Sequence, residues 1–139
     1  MPDQPTNRQL ADGTRLLVRE VVPEDRALIQ LGFQHFGPES RYRRFLSAKA
    51  GLTERELRYL AEVDGSDHFA IGAVRFDEHG TAQPVGIARY VRLEHAGEVA
   101  EPAVAVVDEM QGKGVGTLLL RELSDAAYAL GVRRFRCSV

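Results

Sequence analysis

The sequence predicts a single mixed α+β domain, a mostly antiparallel sheet flanked by helices. Three observations carry that expectation. Strand-like and helix-like stretches follow one another in the order β, α, α, β, β, β, α, β. The three consecutive strands are separated only by "DEHGTAQ" and "EHAGE", turn-like segments that make an antiparallel meander. At 139 residues and 44% apolar content, the chain can bury one sizeable core.

The elements read as follows. Residues 1–13 are a polar lead, and residues 14–139 form the domain. "TRLLVREV" (14–21) reads as a strand. "PEDRALIQLGFQHF" (23–36) reads as a helix with proline and acids in its first turn. "GPES" breaks it, and "RYRRFLS" with "LTERELRYLAEVD" reads as a second, broken helical region. There Thr53 and Glu56 have capping-box spacing, and Leu57, Leu60 and Ala61 form a stripe. "HFAIGAVRF" (68–76), "PVGIARYVRL" (84–93) and "EPAVAVVDE" (101–109) are the meander strands. "KGVGTLLLRELSDAAYALG" (113–131) is a helix whose Leu119, Leu123, Ala126, Ala127 and Leu130 share a face, with Gly131 at the C-cap. "VRRFRCSV" is a last strand.

Composition narrows the function. A net charge of −2 argues against nucleic acid as a partner, because phosphate binding needs a basic face. A single cysteine, Cys137, gives no disulfide framework and no cysteine-based zinc site, and no metal is expected. "MPDQPTNRQLADG" has neither the basic lead nor the apolar core of a signal peptide, and no apolar run approaches membrane-spanning length. The expectation is a soluble cytoplasmic protein with no membrane partner.

The chemistry concentrates in "VAVVDEMQGKGVGTLLL" (104–120), where Gly112, Gly114 and Gly116 sit between a strand and a helix. The spacing fits neither a P-loop nor the dinucleotide fingerprint. A tight turn would need one glycine. Three leave successive N–H groups bare at the positive end of a helix, which is an anion site, and Lys113 and Thr117 add a charge and a hydroxyl.

"QGKGVG" matches the Q/R-x-x-G-x-G/A motif of the GNAT superfamily of N-acetyltransferases, between the fourth strand and the next helix as in that family. The resemblance covers about residues 14–139. "GPESRYRRFLS" and "AEPAVAVVDEMQGKGVGTLL" look most like the GNAT domains of bacterial protein lysine acetyltransferases, which modify acyl-CoA synthetases. The resemblance implies acetyl-CoA as co-substrate. Its pyrophosphate would lie on Gln111, Gly112, Lys113, Gly114, Val115, Gly116 and Thr117, and its pantetheine arm along the backbone of Val106, Val107 and Asp108. It also implies a protein substrate with an exposed lysine. A small-molecule amine acceptor, or a non-catalytic acyl-CoA-binding sensor module, is the alternative.

A lysine amine, with pKa near 10.4, must lose a proton to a base before it can attack a thioester. The oxyanion needs a fixed N–H donor, such as a bulged strand end would give. Glu101 is the candidate base. It opens the strand, and "AEPAV" resembles the Ala-Glu-x-Ala-Val run of the lysine acetyltransferases, ten residues before Gln111. The plain alternative is a solvated carboxylate at a strand start. Pro102, which cannot donate a ladder bond, would delay the strand and tilt Glu101. Glu98, Glu109 and His95 are the fallbacks. The basic-aromatic run Arg41–Phe45 reads as an amphipathic segment, or through the resemblance as a border of the acceptor groove. In the family a tyrosine on a later helix protonates the leaving thiolate. Tyr128 lies in the helix after the loop and is expected to point elsewhere. The C-terminal part of the family core is expected to be absent after the fifth strand. That would leave an open sheet edge, with Phe135 and Cys137 partly exposed, through which the chain could form a homo-oligomer.

Overall fold

The computed structural model describes residues 5–35 and 52–137. One six-stranded sheet runs in the order β1-β2-β3-β4-β5-β6: β1 Thr6–Gln9, β2 Arg15–Glu20, β3 His68–Phe76, β4 Ala82–Arg92, β5 Val99–Val106 and β6 Arg134–Phe135. Neighbours from β1 to β5 are antiparallel, and only β6 lies parallel to its neighbour. Helices α1 (Arg26–Gln34) and α2 (Glu54–Ala61) lie over one face, and α3 (Val115–Ala129) covers the other. The expected mixed, mostly antiparallel architecture is present.

Local sequence accounts for most boundaries. Pro23 opens a single 3-10 turn, Pro23–Asp25, that leads into α1. Asp25 is anchored there by two bonds of 2.7 Å from the Arg19 guanidinium and one of 2.9 Å from the Val22 N–H. The capping box of α2 forms as predicted. Glu56 N–H donates to Thr53 Oγ1, and Thr53 N–H donates to Glu56 Oε1. The end of α3 closes with two linked bonds, from Val132 N–H to the Ala127 carbonyl and from Gly131 N–H to the Tyr128 carbonyl. Val115, Leu119, Leu123 and Ala127 form its buried stripe.

Two expectations need correction. Residues 6–9, placed in an irregular lead, form edge strand β1. "TNRQ" has no apolar alternation to announce a strand. The ladder to β2 and the Arg8–Glu122 ion pair (2.8 Å) hold it instead. The last strand is short, two residues paired to Val99 and Ala100. A bulge lies on β4, where the register shifts between Ala73 and Val74 and Pro84 withholds its donor. The Arg41–Phe45 run lies outside the described residues.

α3 sits close to the sheet because Gly86 has no side chain. A Cβ there would stand 2.9 Å from Leu119 Cδ1 and 3.0 Å from the Ala105 carbonyl oxygen. That contact lowers the start of α3, and with it the glycine loop, onto the end of β5.

Candidate functional site

The site forms where β5 and β6 part. Their parallel ladder covers only Val99↔Arg134 and Ala100↔Phe135, and Arg136 N–H closes it on the Ala100 carbonyl (2.8 Å). Beyond Ala100, β5 has no strand partner on that side among the described residues. Its other side pairs with β4 in unbroken register from Ala100 to Val106.

Which backbone groups face the gap follows from ladder alternation. Leu93 N–H donates to the Val99 carbonyl, and Val107 N–H to the Val85 carbonyl. In an antiparallel ladder the bonded pairs alternate. Odd-numbered residues of β5 therefore spend their N–H and C=O groups on β4, and even-numbered residues point theirs outward. The Ala100 and Val106 carbonyls agree, since they accept from Arg136 N–H and from Gln111 Nε2 (3.0 Å). The Pro102 carbonyl, both backbone groups of Val104 and the Val106 N–H thus line the gap. Pro102 did not delay the strand, because its missing N–H faces the gap rather than β4.

This places the expected pantetheine residues. Val106 is on the edge. Val107 and Asp108 are not, because Val107 N–H is taken by Val85 and Asp108 N–H by the His35 carbonyl (2.9 Å). Their carbonyls accept from Met110 and Gln111 as the chain coils through the 3-10 turn Asp108–Met110. Val104 is on the edge with Val106. Strand parity would have identified it, had Val99 and Val107 been known to bond to β4.

After the turn, buried Met110 pins the chain and Gln111 reaches back to β5. Gly112 (φ +75°) and Gly114 (φ +89°) are left-handed, with no atom within 4 Å of a would-be Cβ on either. Two glycines are therefore required by the backbone and leave it bare. Gly116 is not required in this way, as a Cβ there would make ordinary contact with Val106 Cγ2 at 3.8 Å. Gly114 is the N-cap of α3, and no side chain caps it, so the first-turn N–H groups remain open to an anion. Val115 is buried beneath the loop, and Thr117 is exposed on the first turn. Lys113 Nζ lies 2.9 Å from Asp12 Oδ2, a partner not foreseen from the sequence.

Side chains alternate in the same way. Val106 and its partner Gly86 face α3, so Glu101, Ala103, Ala105 and Val107 face α1 and α2. Glu101 is half-buried in a row with Val91 and His68. The next row is Ala70, Arg89 and Ala103. Buried Arg89 donates to the Leu60 carbonyl (3.1 Å) and lies 2.8 Å from His68 Nε2. Burial, reinforced by that guanidinium, pushes the His68 pKa down to about 4, so the ring is neutral with its proton on Nδ1. On the same face an apolar groove runs beneath α1, lined by Leu28, Ile29, Phe33, Val74, Ile87 and Val107. Its charged pair, Arg19 and Asp25, neutralises itself. Ile87, which lines the groove, is the partner of Ala105, on the same face of the sheet as Ala103 and Glu101.

The fallback bases lie apart from the gap. Glu109 is shared between His35 and Arg75, each at 3.6 Å. His95, 92% exposed, sits on Asp67 at 2.5 Å. Glu98 is exposed, and its carbonyl is used by Arg133 and Arg134. Tyr128 points into solvent beneath Arg133. Among the described residues no helix is long and apolar enough to cross a membrane, and no three-residue acidic, histidine or cysteine cluster could hold a metal ion.

An edge strand with bare amide groups thus leads into an uncapped helix start. The pattern of the acetyltransferase (GNAT) family matches residues 27–139. The chain is 38% identical over 132 residues to the acetyltransferase Pat of Mycolicibacterium smegmatis, covering 94% of this chain and 38% of that protein. It is 32% identical over 125 residues to the acetyltransferase PA5475 of Pseudomonas aeruginosa, covering 90% and 66%. The GNAT domain of S. lividans PAT superposes with a TM-score of 0.82 at 26% identity, covering 96% of this chain and 77% of that one. The chain belongs to the GNAT family of acetyltransferases, and it spans about two fifths and two thirds of the lengths of the two curated relatives it matches.

Proposed function

We propose that the protein transfers the acetyl group of acetyl-CoA to the side-chain amine of a lysine in a target protein. An acyl-CoA synthetase is the target class that the resemblance to bacterial protein lysine acetyltransferases suggests. The observation that carries the reading is the bare β5 edge at Pro102, Val104 and Val106, leading directly to the left-handed glycines at the start of α3. The edge suits the pantetheine amides, and residues 111–117 suit the pyrophosphate.

The roles follow from position. Gln111 Nε2 holds the loop to the Val106 carbonyl and keeps the edge and the anion loop in register. The Val104 N–H is the donor placed for the thioester oxygen, and it strengthens as negative charge develops there. On the α1–α2 face of β5, half-buried Ala103 is a small side chain beside Glu101, where an incoming amine would approach. Glu101, on that same side, takes the amine's proton directly or through water. The amine nitrogen bonds to the carbonyl carbon, the carbon–sulfur bond breaks, and the electron pair leaves on the thiolate. The groove supports a lysine over a small polar amine, because an apolar channel with a self-neutralised ion pair suits a four-carbon stem.

The test is incubation with labelled acetyl-CoA and a bacterial lysate. Label in protein, lost with Glu101→Gln, supports the reading. Label in small amines replaces the acceptor class. Binding of acetyl-CoA without transfer in either protein makes the domain a sensor module.

A further inference from the structure

Lys113 lies within the glycine loop, yet its ammonium is held by a carboxylate 101 residues away in sequence. That carboxylate is fixed in place. Asp12 occupies the β1–β2 turn, which is closed by Leu10 N–H to the Thr14 carbonyl (2.8 Å) and Gly13 N–H to the Leu10 carbonyl (2.9 Å). Its Oδ1 accepts the Thr14 N–H at 2.9 Å, leaving Oδ2 for Lys113. The hairpin is docked along α3 by Arg8 and Glu122, two turns beyond the loop. The Lys113 ammonium, together with the Thr14 N–H, holds the Asp12 carboxyl well below the usual carboxylate range, so it is ionised at every working pH.

We propose that Asp12 is a positioning residue that competes with the bound diphosphate for Lys113, and so limits how tightly the loop holds coenzyme A and how long it keeps it. The proposal rests on the reading of residues 111–117 as the pyrophosphate site. Both side chains of the pair are nearly 40% exposed, so the bond is weak and easily exchanged. A diphosphate at the bare N–H groups of the loop is a stronger anion than Asp12, and the flexible lysine can turn to it. The carboxylate then remains beside a like charge. Its repulsion lowers affinity and speeds departure, which matters in an enzyme that must release coenzyme A at every turnover.

The experiment is calorimetric titration of the whole chain with coenzyme A, with dissociation followed by stopped flow. The variants are Asp12→Asn, Lys113→Met, the double variant and Gly114→Glu. Asparagine keeps an oxygen for the Thr14 N–H, so the turn survives, and thermal melts check this. Asp12→Asn is expected to bind about three- to fivefold more tightly, as loss of a weak surface pair allows. It should also release coenzyme A more slowly and depend more steeply on salt, because Lys113 then acts as an uncompensated charge. In the Lys113→Met background the gain should shrink by at least half. A purely structural role for Asp12 would lower Tm without tightening binding. Unchanged or weaker binding by Asp12→Asn, while Gly114→Glu abolishes it, overturns the role of Asp12 alone. Equal binding by wild type and Gly114→Glu, or no binding by wild type, removes the loop site and the proposal with it.

Discussion

Proline at position 104 separates what β5 does for the fold from what it does for the substrate. Strand parity directs the Val104 N–H into the gap, where no described residue accepts it, whereas the Ala103 N–H faces the Arg89 carbonyl in the β4 ladder. Val104→Pro therefore removes no ladder bond, and Pro102 already occupies an equivalent site two residues earlier. The cost to the fold is a modest loss of packing against α3, about 1 kcal/mol. Ala103→Pro deletes a ladder bond to β4 and should cost about 3 kcal/mol or more. For the substrate the order reverses. A neutral hydrogen bond to pantetheine is worth about 0.5–1.5 kcal/mol, or roughly two- to tenfold in acetyl-CoA affinity. If the same N–H meets the developing oxyanion, kcat falls by about 10²–10³. The assay pairs thermal denaturation with steady-state kinetics, and Val104→Ala, which keeps the N–H and trims the side chain, is the control. A Val104→Pro enzyme with the kcat and acetyl-CoA affinity of Val104→Ala would refute the assignment of this edge to the acyl donor.

Other expectations follow from the same geometry. Glu101→Gln should leave acetyl-CoA affinity near wild type and lower turnover about a hundredfold or more, and a normal turnover from pH 7 to 9 would move the base elsewhere. Gly114→Ala meets no atom within 4 Å but must hold φ near +89°, so it should cost about 1–2 kcal/mol of stability in a denaturant titration. Gly114→Glu adds like charge to the phosphates and should bind coenzyme A at least tenfold more weakly than Gly114→Ala. His68, with its pKa lowered to about 4, binds its proton more readily unfolded than folded. Its contribution is present above about pH 6.5 and is lost as pH falls toward 4. The full shift would be worth about 3 kcal/mol, and nearer 1–2 after allowance for the exposed part of the ring. His68→Gln keeps an acceptor for Arg89 and should flatten the stability profile in that window. Parallel profiles for the two proteins would exclude the effect.

Much of the fold was legible because its signals are local. The α2 capping box, the apolar stripe of α3 and the turns of the meander each sit within one short window. β1 was not legible, because "TNRQ" is held by a partner strand and by an ion pair to Glu122, more than a hundred residues away. The loop was readable as a class, but which glycines matter was not. Only the backbone angles separate Gly112 and Gly114, which a side chain would strain, from Gly116, which one would not.

Which residues of β5 turn their backbone to the gap was not legible for a similar reason. A strand's sequence gives its two faces, because side chains alternate visibly. It does not say which edge each backbone group serves, because that parity is set by the neighbouring strand. Here Val107 looked like the end of the binding strand, yet its N–H belongs to Val85. The same parity turns Pro102 from an apparent defect into a suitable residue, since a position whose N–H would face the gap is one where the β4 ladder loses nothing. Under the proposed function it also separates acyl donor from acceptor on one strand. The even residues offer backbone to the gap, and the odd residues offer side chains to the groove side. Glu101 therefore lies on the groove side without occupying the backbone edge. A base on an even residue would point to the α3 face, away from the groove side.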